Sequence, residues 1–558
     1  MRKYDEIKYE RPDYEKLKEK MNQVADEIKT ASDFDTVLSL LQDFQKEYDR
    51  VETMMSVAVI ASYLDGTDEE AGEEGAFCMG NSQAFDVSPI YEAIASSPFK
   101  EDFDKKYGTF LLESVSKKKM LHGAGEEFLA KEQEILADIS KFVANITFDY
   151  NGEKLSASQI GILQESDDPV VKKNARYAYR KAYADNGEKI GEYLGQLIET
   201  RDKLAKANGY NNYLEYCNIE KDRYSYGEPE FDEFVKNVKK YILPLSEKSN
   251  KKIQKRLNLE TYTNDDTGKY FADGNAKPVG DLEFVKDKMQ QAFDDMDPML
   301  GDTYRKMRDN GYTDLERSDT KLIGLSFAQQ IFSERIPYVF SNYLGDAAAV
   351  NTLFHEFGHA MQMQLSMNRY DLHEFYDQVQ DLSEVPSKTM ELFSLSYAKS
   401  VFGDDADKYV EGHLINVLDE FTGYCMFHEL ETYFYTNVQA SPQDRIDKYN
   451  ELTKLYSPGV TYNNFDLFEK GCALYSSYAI WRFARYVITY PLCSLASVYL
   501  AMEFKKDKKR GAELFKKLGE IGGSMDYNDA IKYMGLKSPF SEEVIREVAD
   551  YLQRELEL

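Results

Sequence analysis

The chain of 558 residues is poor in histidine, cysteine, tryptophan and proline, with 6, 5, 1 and 14 residues respectively. The five cysteines are scattered, and no two of them form a C-x-x-C pair. This excludes a disulfide framework and a cysteine-bound zinc, and it is typical of reduced thiols in a cytosol. The first residues contain no apolar segment of the secretory type. The longest uncharged run, residues 486–502, is too short to span a membrane. We therefore expect a cytoplasmic protein.

Basic residues are also fewer than acidic ones: the chain has 69 Lys and Arg and 98 Asp and Glu, which gives a formal net charge of −29. Such a surface repels phosphate backbones and anionic lipid, so neither nucleic acid nor membrane is expected as a partner. The acidity favours solubility, and an alternative is that it attracts cationic substrates. Hydrophobic residues make up 42% of the chain, which is enough for a large interior. The length predicts two or more lobes.

The pattern of apolar residues predicts a mostly α-helical fold. Residues 12–31 and 507–522 repeat apolar side chains at three- and four-residue spacing, as amphipathic helices do. Asn151-Gly152 lies between two extended segments and predicts a β-hairpin near 146–155. A short strand is predicted near 337–345, before a helix that begins near Ala348, and the polar stretch 261–281 predicts a loop.

Two of the few histidines stand four residues apart in "TLFHEFGHAMQMQ", residues 352–364. On a helix, residues four apart project from one face about 5–6 Å apart, so His355 and His359 can direct ring nitrogens at one point. Imidazole is a common zinc ligand. Glu356 lies about 100° around the helix from His355, which places its carboxylate beside the metal, where it can act on water. Buried histidines with ordinary hydrogen bonds are the structural alternative.

A catalytic zinc needs a third protein ligand and an open position. The metzincin pattern would require Gly at position 362 and His at position 365, where this chain has Gln362 and Leu365. The third ligand is therefore expected to be a carboxylate from a following helix. Asp377 is disfavoured because it lies too close in sequence for the chain to turn back, and the candidates that stay open are Asp381, Glu384 and Glu391.

Longer stretches carry a family resemblance. "PYVFSNYLGDAAAVNTLFHEFGHAMQ" is followed, 25 residues after His359, by the glutamate of "LSEVPSKTMELF". Together they resemble the thimet oligopeptidase and oligoendopeptidase F family, and more closely its bacterial oligoendopeptidase branch. "LAKANGYNNYLEY" and "GGSMDYNDAIKYMGL" stand in the order the family has them.

The resemblance implies one Zn²⁺ per chain, held by His355, His359 and Glu384, with Glu356 as general base. Glu391 matches a further family glutamate and is expected behind the ligands, two helical turns from Glu384. The implied fold is a large bilobal helical body with a deep substrate channel. We expect an N-terminal helical domain over residues 1–180 and a catalytic helical domain over residues 181–558.

One feature departs from the family pattern, in which a late histidine precedes several tyrosines that donate hydrogen bonds to the developing oxyanion. Here no histidine follows His428. One alignment puts Tyr486 in its place, and another through "ALYSSYAIW" puts Asp466 there. The candidate oxyanion or substrate tyrosines are Tyr475, Tyr478, Tyr486 and Tyr490.

The sequence therefore predicts a zinc-dependent endopeptidase that hydrolyses peptide bonds in short oligopeptides, with water at the zinc activated by Glu356. The resemblance also implies that residues 342–348, before the zinc helix, pair with the substrate backbone. The alternative is a zinc-containing peptide-binding protein whose catalysis is weakened or lost with the late histidine, since losing an oxyanion donor costs about 10²–10³ in rate.

Overall fold

The computed structural model describes residues 2–121, 124–164, 166, 168–322 and 325–558. The chain folds into two compact units, each built from three separate segments. The first unit comprises Met1–Lys117, Ala276–Val410 and Cys493–Pro539, and the second comprises Lys118–Asn275, Glu411–Leu492 and Phe540–Leu558. The predicted boundary between residues 180 and 181 is a different division of the chain and stays a prediction.

The fold is mostly α-helical, as the spacing of apolar residues predicts. In the first half of the chain the elements are α1 (Tyr14–Lys29), α2 (Phe34–Leu64), α3 (Glu69–Ala84), α4 (Ser88–Ala95), α5 (Lys100–Tyr107), α6 (Phe110–Leu121), α7 (Glu126–Ala144), β1 (Phe148–Tyr150), β2 (Glu153–Leu155), α8 (Ala157–Gln164), α9 (Pro169–Asp185), α10 (Gly187–Ala207), α11 (Tyr213–Glu220), α12 (Glu228–Tyr241) and α13 (Leu243–Arg256).

The second half begins after the predicted loop at 261–281, a stretch that the structure leaves without helix or strand. Its elements are α14 (Leu282–Met296), α15 (Pro298–Asp309), β3 (Thr313–Asp314), β4 (Phe327–Ile331), β5 (Ile336–Phe340), α16 (Ala347–Arg369), α17 (Gln380–Ser383), α18 (Val385–Ser394), α19 (Ala398–Phe402), α20 (Ala406–Thr436), α21 (Pro442–Tyr456), α22 (Phe465–Phe468), α23 (Cys472–Ser476), α24 (Tyr478–Arg482), α25 (Thr489–Lys506), α26 (Lys508–Gly519), α27 (Tyr527–Met534) and α28 (Glu542–Glu555).

The predicted hairpin is confirmed. Strands β1 and β2 pair antiparallel, with Tyr150 opposite Glu153. The two turn residues, Asn151 and Gly152, have φ angles of 55° and 85°. Both angles are positive, as a tight hairpin turn that follows the strand twist requires, and this is why Asn-Gly occurs there.

The strand predicted near 337–345 corresponds to β5, which ends at Phe340. It is the central strand of a three-stranded sheet in the first unit, where β3 pairs parallel to it and β4 antiparallel. Strand β4 is not predictable from its own residues, because "FAQQI" has two adjacent glutamines in place of an apolar run. The sheet places β5 directly before α16, which packs on both β4 and β5.

A hydrophobic core in the first unit joins α1, α2, α4 and α5 to residues just after α16. It includes Leu17, Leu41, Ile94 and Phe103 together with Phe375. This core therefore fixes the chain segment that connects α16 to α17. Among the described residues, none of the helices combines the length and apolar character that a membrane span needs.

Candidate metal centre

Helix α16 presents His355 and His359 on one face. The helix begins after Asp346, whose side chain accepts a hydrogen bond from the Ala349 N–H at 2.7 Å and caps the N-terminus. The two Nε2 atoms lie 3.2 Å apart. The i, i+4 spacing therefore brings both imidazoles to a common point.

Glu384 comes to this point from a break between two helices. It lies after the last residue of α17 and before the first residue of α18, in a kink completed by Pro386. Its Oε2 atom is 3.3 Å from Nε2 of His355 and 3.4 Å from Nε2 of His359. Of the carboxylates left open by the sequence, Glu384 is thus the one that reaches both rings.

Close packing of α18 on α16 makes this approach possible, and it depends on Gly358. A Cβ atom built on Gly358 would lie 2.6 Å from Cα of Ser387 and 2.7 Å from the carbonyl oxygen of Pro386. Contacts that short with backbone atoms cannot be relieved by a side-chain rotation. The glycine inside H-E-F-G-H therefore sets the distance between α16, which carries the two histidines, and α18, which directly follows Glu384.

The three atoms form a nearly equilateral triangle with edges of 3.2, 3.3 and 3.4 Å. A tetrahedral zinc bound at about 2.0–2.1 Å keeps its ligand atoms about 3.3–3.4 Å apart, so the triangle has the size of one face of that tetrahedron. Within the described part of the chain, His355, His359 and Glu384 are the one group of three or more such side chains close enough to share an ion. Two imidazoles and one carboxylate also match the ligand types of catalytic zinc sites.

Hydrogen bonds behind the triangle fix its orientation. Nδ1 of His355 lies 2.6 Å from Oε1 of Glu391, and the other oxygen of Glu391 accepts from the side-chain amide of Asn351 at 2.8 Å. Because Nδ1 donates to a carboxylate, Nε2 keeps its lone pair for a metal. Ser387 donates a hydrogen bond to Oε2 of Glu384 at 2.9 Å.

The electrostatics of the triangle also suit a cation. Burial alone would lower the pKa of His355, but the carboxylates of Glu384 and Glu391 raise this pKa to about 10. Burial opposes the charge of Glu384, yet the imidazoles of His355 and His359 beside it hold its pKa well below the usual range. The carboxylates thus create a local preference for positive charge, which a divalent ion would satisfy.

Glu356 is buried, with 7% of its surface exposed, and burial raises the pKa of its carboxyl. Its side chain makes no hydrogen bond or ion pair with the described residues. The charges of His355, His359 and Glu384 also influence the pKa of Glu356. Glu356 therefore lies beside the triangle but is not part of it. A carboxylate with a raised pKa and no protein partner is suited to exchange a proton with a small molecule.

The other carboxylates considered from sequence have different surroundings. Asp377 accepts a hydrogen bond from the side chain of Gln330. Asp381 is almost fully buried, and its backbone carbonyl accepts from the thiol of Cys493. Neither belongs to the chelating triangle.

The four candidate tyrosines belong to the second unit. Tyr475 is buried, and its ring fills the space that side chains at Gly187 and Gly191 would occupy. Tyr478 is 45% exposed. Tyr490 stacks on Tyr424 with a centroid distance of 4.7 Å, and Tyr486 meets Tyr490 edge-on at 5.5 Å. Their predicted part in oxyanion or substrate binding stays a prediction.

Sequence reasoning missed the supporting residues Gly358, Ser387 and Asn351. A glycine inside a helix usually weakens the helix, so a glycine at such a position often has a packing reason. Gly358 was therefore the signal in the sequence for a close approach by another backbone. The late motif "GGSMDYNDAIKYMGL" supports the site from a distance in sequence, because the Gly523 N–H donates to the carbonyl of Phe375 at 3.2 Å. That contact fixes the segment between α16 and α17.

The sequence of this chain is similar to those of known peptidases. The sequence model of peptidase family M3 matches residues 162–550, and that of the peptidase M3 N-terminal domain matches residues 4–121. Oligopeptidase PepF of Bacillus subtilis (strain 168) is 22% identical over 460 residues, which cover 78% of this chain. The match spans 66% of the PepF chain, just under two thirds of its length.

Solved structures show the same fold. PZ peptidase A, crystallised with an inhibitor, is 25% identical, and the match has a TM-score of 0.86 over 100% of this chain and 99% of the other. A structure provisionally assigned as oligoendopeptidase F has the same identity, TM-score and coverage. Oligoendopeptidase-F from Enterococcus faecium, at 17% identity and a TM-score of 0.61, shares the fold over 98% of this chain and 96% of its own.

Proposed function

Because this chain belongs to peptidase family M3, we propose that it is a zinc-dependent endopeptidase that hydrolyses short oligopeptides. The observation that carries the proposal is the triangle of His355, His359 and Glu384, whose edges fit one face of a tetrahedral zinc site. These three residues would hold one zinc ion per chain. When bound, zinc would supply Lewis-acid chemistry, lowering the pKa of a coordinated water and polarising a carbonyl.

In this proposal Glu356 is the general base. Its carboxylate takes a proton from the attacking water and delivers it to the amine that leaves when the peptide bond breaks. Burial raises the pKa of Glu356, which favours both steps, because a stronger base accepts the proton more readily and the acid form persists long enough to donate it. The role of Glu391 is to position His355 through Nδ1.

The substrate assignment follows from family membership and from the names of the relatives, among them an oligopeptidase. Residues 342–348 are proposed to pair with the substrate backbone. Leu344 in this segment is 60% exposed, and Gly345 has a φ of 83°, so part of the segment is exposed and irregular. The five cysteines are free and buried, which supports a cytoplasmic location.

The test is peptide hydrolysis by the purified chain, followed by mass spectrometry on a mixture of short synthetic peptides. Four samples are compared: untreated protein, protein stripped by a chelator, stripped protein resupplied with zinc, and the Glu356→Gln variant. We expect internal cleavage that disappears with the metal and returns with zinc. Glu356→Gln should retain zinc but lose about 10²–10⁴ in rate, the usual contribution of a general base.

A matched control is Glu374→Gln, which changes the other glutamate that directly follows a histidine in the first unit and should leave cleavage intact. Cleavage that survives metal removal, or full activity in Glu356→Gln, would contradict the proposal. A wild-type chain that binds zinc and peptide stoichiometrically without cleavage would instead establish the peptide-binding alternative, which the missing late histidine favours.

A further inference from the structure

A cavity of about 270 Å³ lies within the second unit. It is open to solvent on one side and is lined by α13, the loop after α13, α20, α21 and the loop after α21. None of its lining residues belongs to the metal centre. Its walls include Ser246, Tyr262, Asp419, Tyr449, Tyr456 and Tyr462.

Asp419 contributes an uncompensated negative charge to this cavity. Its side chain makes no ion pair and no hydrogen bond with the described residues. The side chain of Asp419 is exposed to solvent, so a ligand that enters the cavity can reach its carboxylate.

Ser246 provides a second polar group that lacks a partner. It is 3% exposed, and its Oγ atom makes no hydrogen bond. A buried hydroxyl without a partner is unfavourable, so such groups usually face a ligand or an ordered water. Because Ser246 lines the cavity, a molecule inside it could accept or donate this missing bond.

Aromatic rings form much of the remaining wall. Tyr262, Tyr449 and Tyr456 are each at most 8% exposed. Tyr456 donates its hydroxyl proton to Oε2 of Glu429 at 2.7 Å, and Tyr462 donates to Oγ of Ser457 at 2.9 Å. These bonds fix the rings, whose faces attract cations. Among the described residues no lysine or arginine lines the cavity, so no protein cation occupies this position.

We propose that this cavity binds the primary ammonium group of an alkylamine or of a lysine side chain in a peptide. An ammonium ion has three donors and needs acceptors, which Asp419 and Ser246 supply, while its alkyl stem suits the tyrosine rings. Anionic ligands are excluded by the charge of Asp419, and the net charge of −29 draws cations toward the chain. The lysine source rests on the proposed peptidase function; the alkylamine source does not.

The first experiment is isothermal titration calorimetry with n-butylammonium and with 1-butanol, which has the same shape and no charge. The wild-type chain should bind the ammonium ion at least about tenfold more tightly than the alcohol, a difference of about 1.4 kcal/mol. Asp419→Asn should abolish that preference, and Ser246→Ala should weaken ammonium binding. Glu420→Gln is the matched control, because it removes a neighbouring carboxylate that does not line the cavity, and it should change ammonium binding less than about twofold.

A second arm distinguishes the two sources. A short lysine peptide is compared with the same peptide carrying norleucine, using the Glu356→Gln variant so that the peptide is not cut. If the lysine peptide binds more tightly than the norleucine peptide, and a variant with both Glu356→Gln and Asp419→Asn loses this difference, the cavity is a subsite for a lysine side chain. If n-butylammonium binds but the two peptides do not differ, the cavity is a site for a small amine.

The proposal is wrong if the wild type binds butanol as tightly as butylammonium, if it binds neither, or if Asp419→Asn leaves the preference unchanged. The comparison of butylammonium with butanol uses only the wild-type chain, so it tests the proposal even if a variant fails to fold. Calorimetry measures binding without turnover. A cavity that binds no amine would therefore leave the peptidase proposal intact, and a chain without peptidase activity would leave the proposal of an amine-binding cavity intact.

Discussion

The first unit contains two His-Glu pairs with different surroundings. His355-Glu356 lies on α16, where three side-chain atoms converge within 3.4 Å of one another. His373-Glu374 lies in a short 3-10 helix that follows α16. The ring of His373 stacks on Phe332 and on Tyr48, at centroid distances of 4.0 and 4.4 Å.

The difference shows what a metal site needs beyond the dipeptide. Four residues after His373 the chain has Asp377, which accepts a hydrogen bond from Gln330. Among the described residues, His373 belongs to no group of three side chains that could share a metal ion. The nearest acidic oxygen to Nδ1 of His373 is 3.7 Å away on Asp49, too far for a hydrogen bond. Aromatic stacking thus makes His373 part of the core, whereas a second imidazole and a returning carboxylate make His355 a candidate ligand.

The largest effect is expected from replacing one histidine in each of the two pairs. His359→Asn is expected to lose bound zinc and at least about 10³ in peptide cleavage, because two ligands cannot hold a catalytic zinc. His373→Asn should keep both, at some cost in stability. Metal analysis and cleavage rates measured on the same preparations check this, and zinc retained at full stoichiometry in His359→Asn would contradict the ligand set.

Removing the hydrogen bond behind His355 should have the next largest effect. Glu391→Gln leaves all three ligands in place but weakens the bond to Nδ1, so zinc affinity should fall by about 10–100-fold. Competition with a chelator measures this affinity. Glu374→Gln is the control beside His373 and should leave the affinity unchanged; an equal affinity in Glu391→Gln would mean that this carboxylate does not position the ring.

The close approach of α16 and α18 can be tested with two helical glycines of the same unit. Gly358→Ala places a methyl group against the backbone of Ser387 and should destabilise the fold by about 1–3 kcal/mol, while moving Glu384 away from the histidines. Gly72→Ala on α3, where a Cβ meets nothing within 4 Å, should be neutral or stabilising by about 0.5–1 kcal/mol. Denaturant unfolding and zinc content of both variants check this difference.

The smallest expected effect concerns pH and the second His-Glu pair. Burial would lower the pKa of His373, but the nearby Asp49, Glu374 and Glu52 raise it above its ordinary value. A histidine whose folded-state pKa is raised stabilises the fold fully below about pH 6.5, and this contribution is lost as the pH rises through the folded-state pKa. Wild-type protein should therefore lose more thermal stability above pH 6.5 than His373→Gln, by about 1–2 °C. A parallel decline in both proteins would contradict this assignment.

The elements that depend on local sequence were predictable. The Asn151-Gly152 turn, the helices at residues 14–29 and 508–519, and the helix carrying the two histidines all follow from spacing and turn chemistry, since these act within a few residues. Strand β4 was missed because its pairing with β5, not its own composition, makes it a strand.

The sequence by itself determined that His355, Glu356 and His359 share a helical neighbourhood, because the helix repeat fixes their relative directions. It left several carboxylates open, and the resemblance to a family selected Glu384. Only the tertiary structure decided that Glu384 reaches both rings: the distance depends on the contact of Gly358 with Ser387 and on the core around Phe375. The interleaving of three segments in each unit is likewise a tertiary result, since residues far apart in the chain become neighbours only when apolar faces pack.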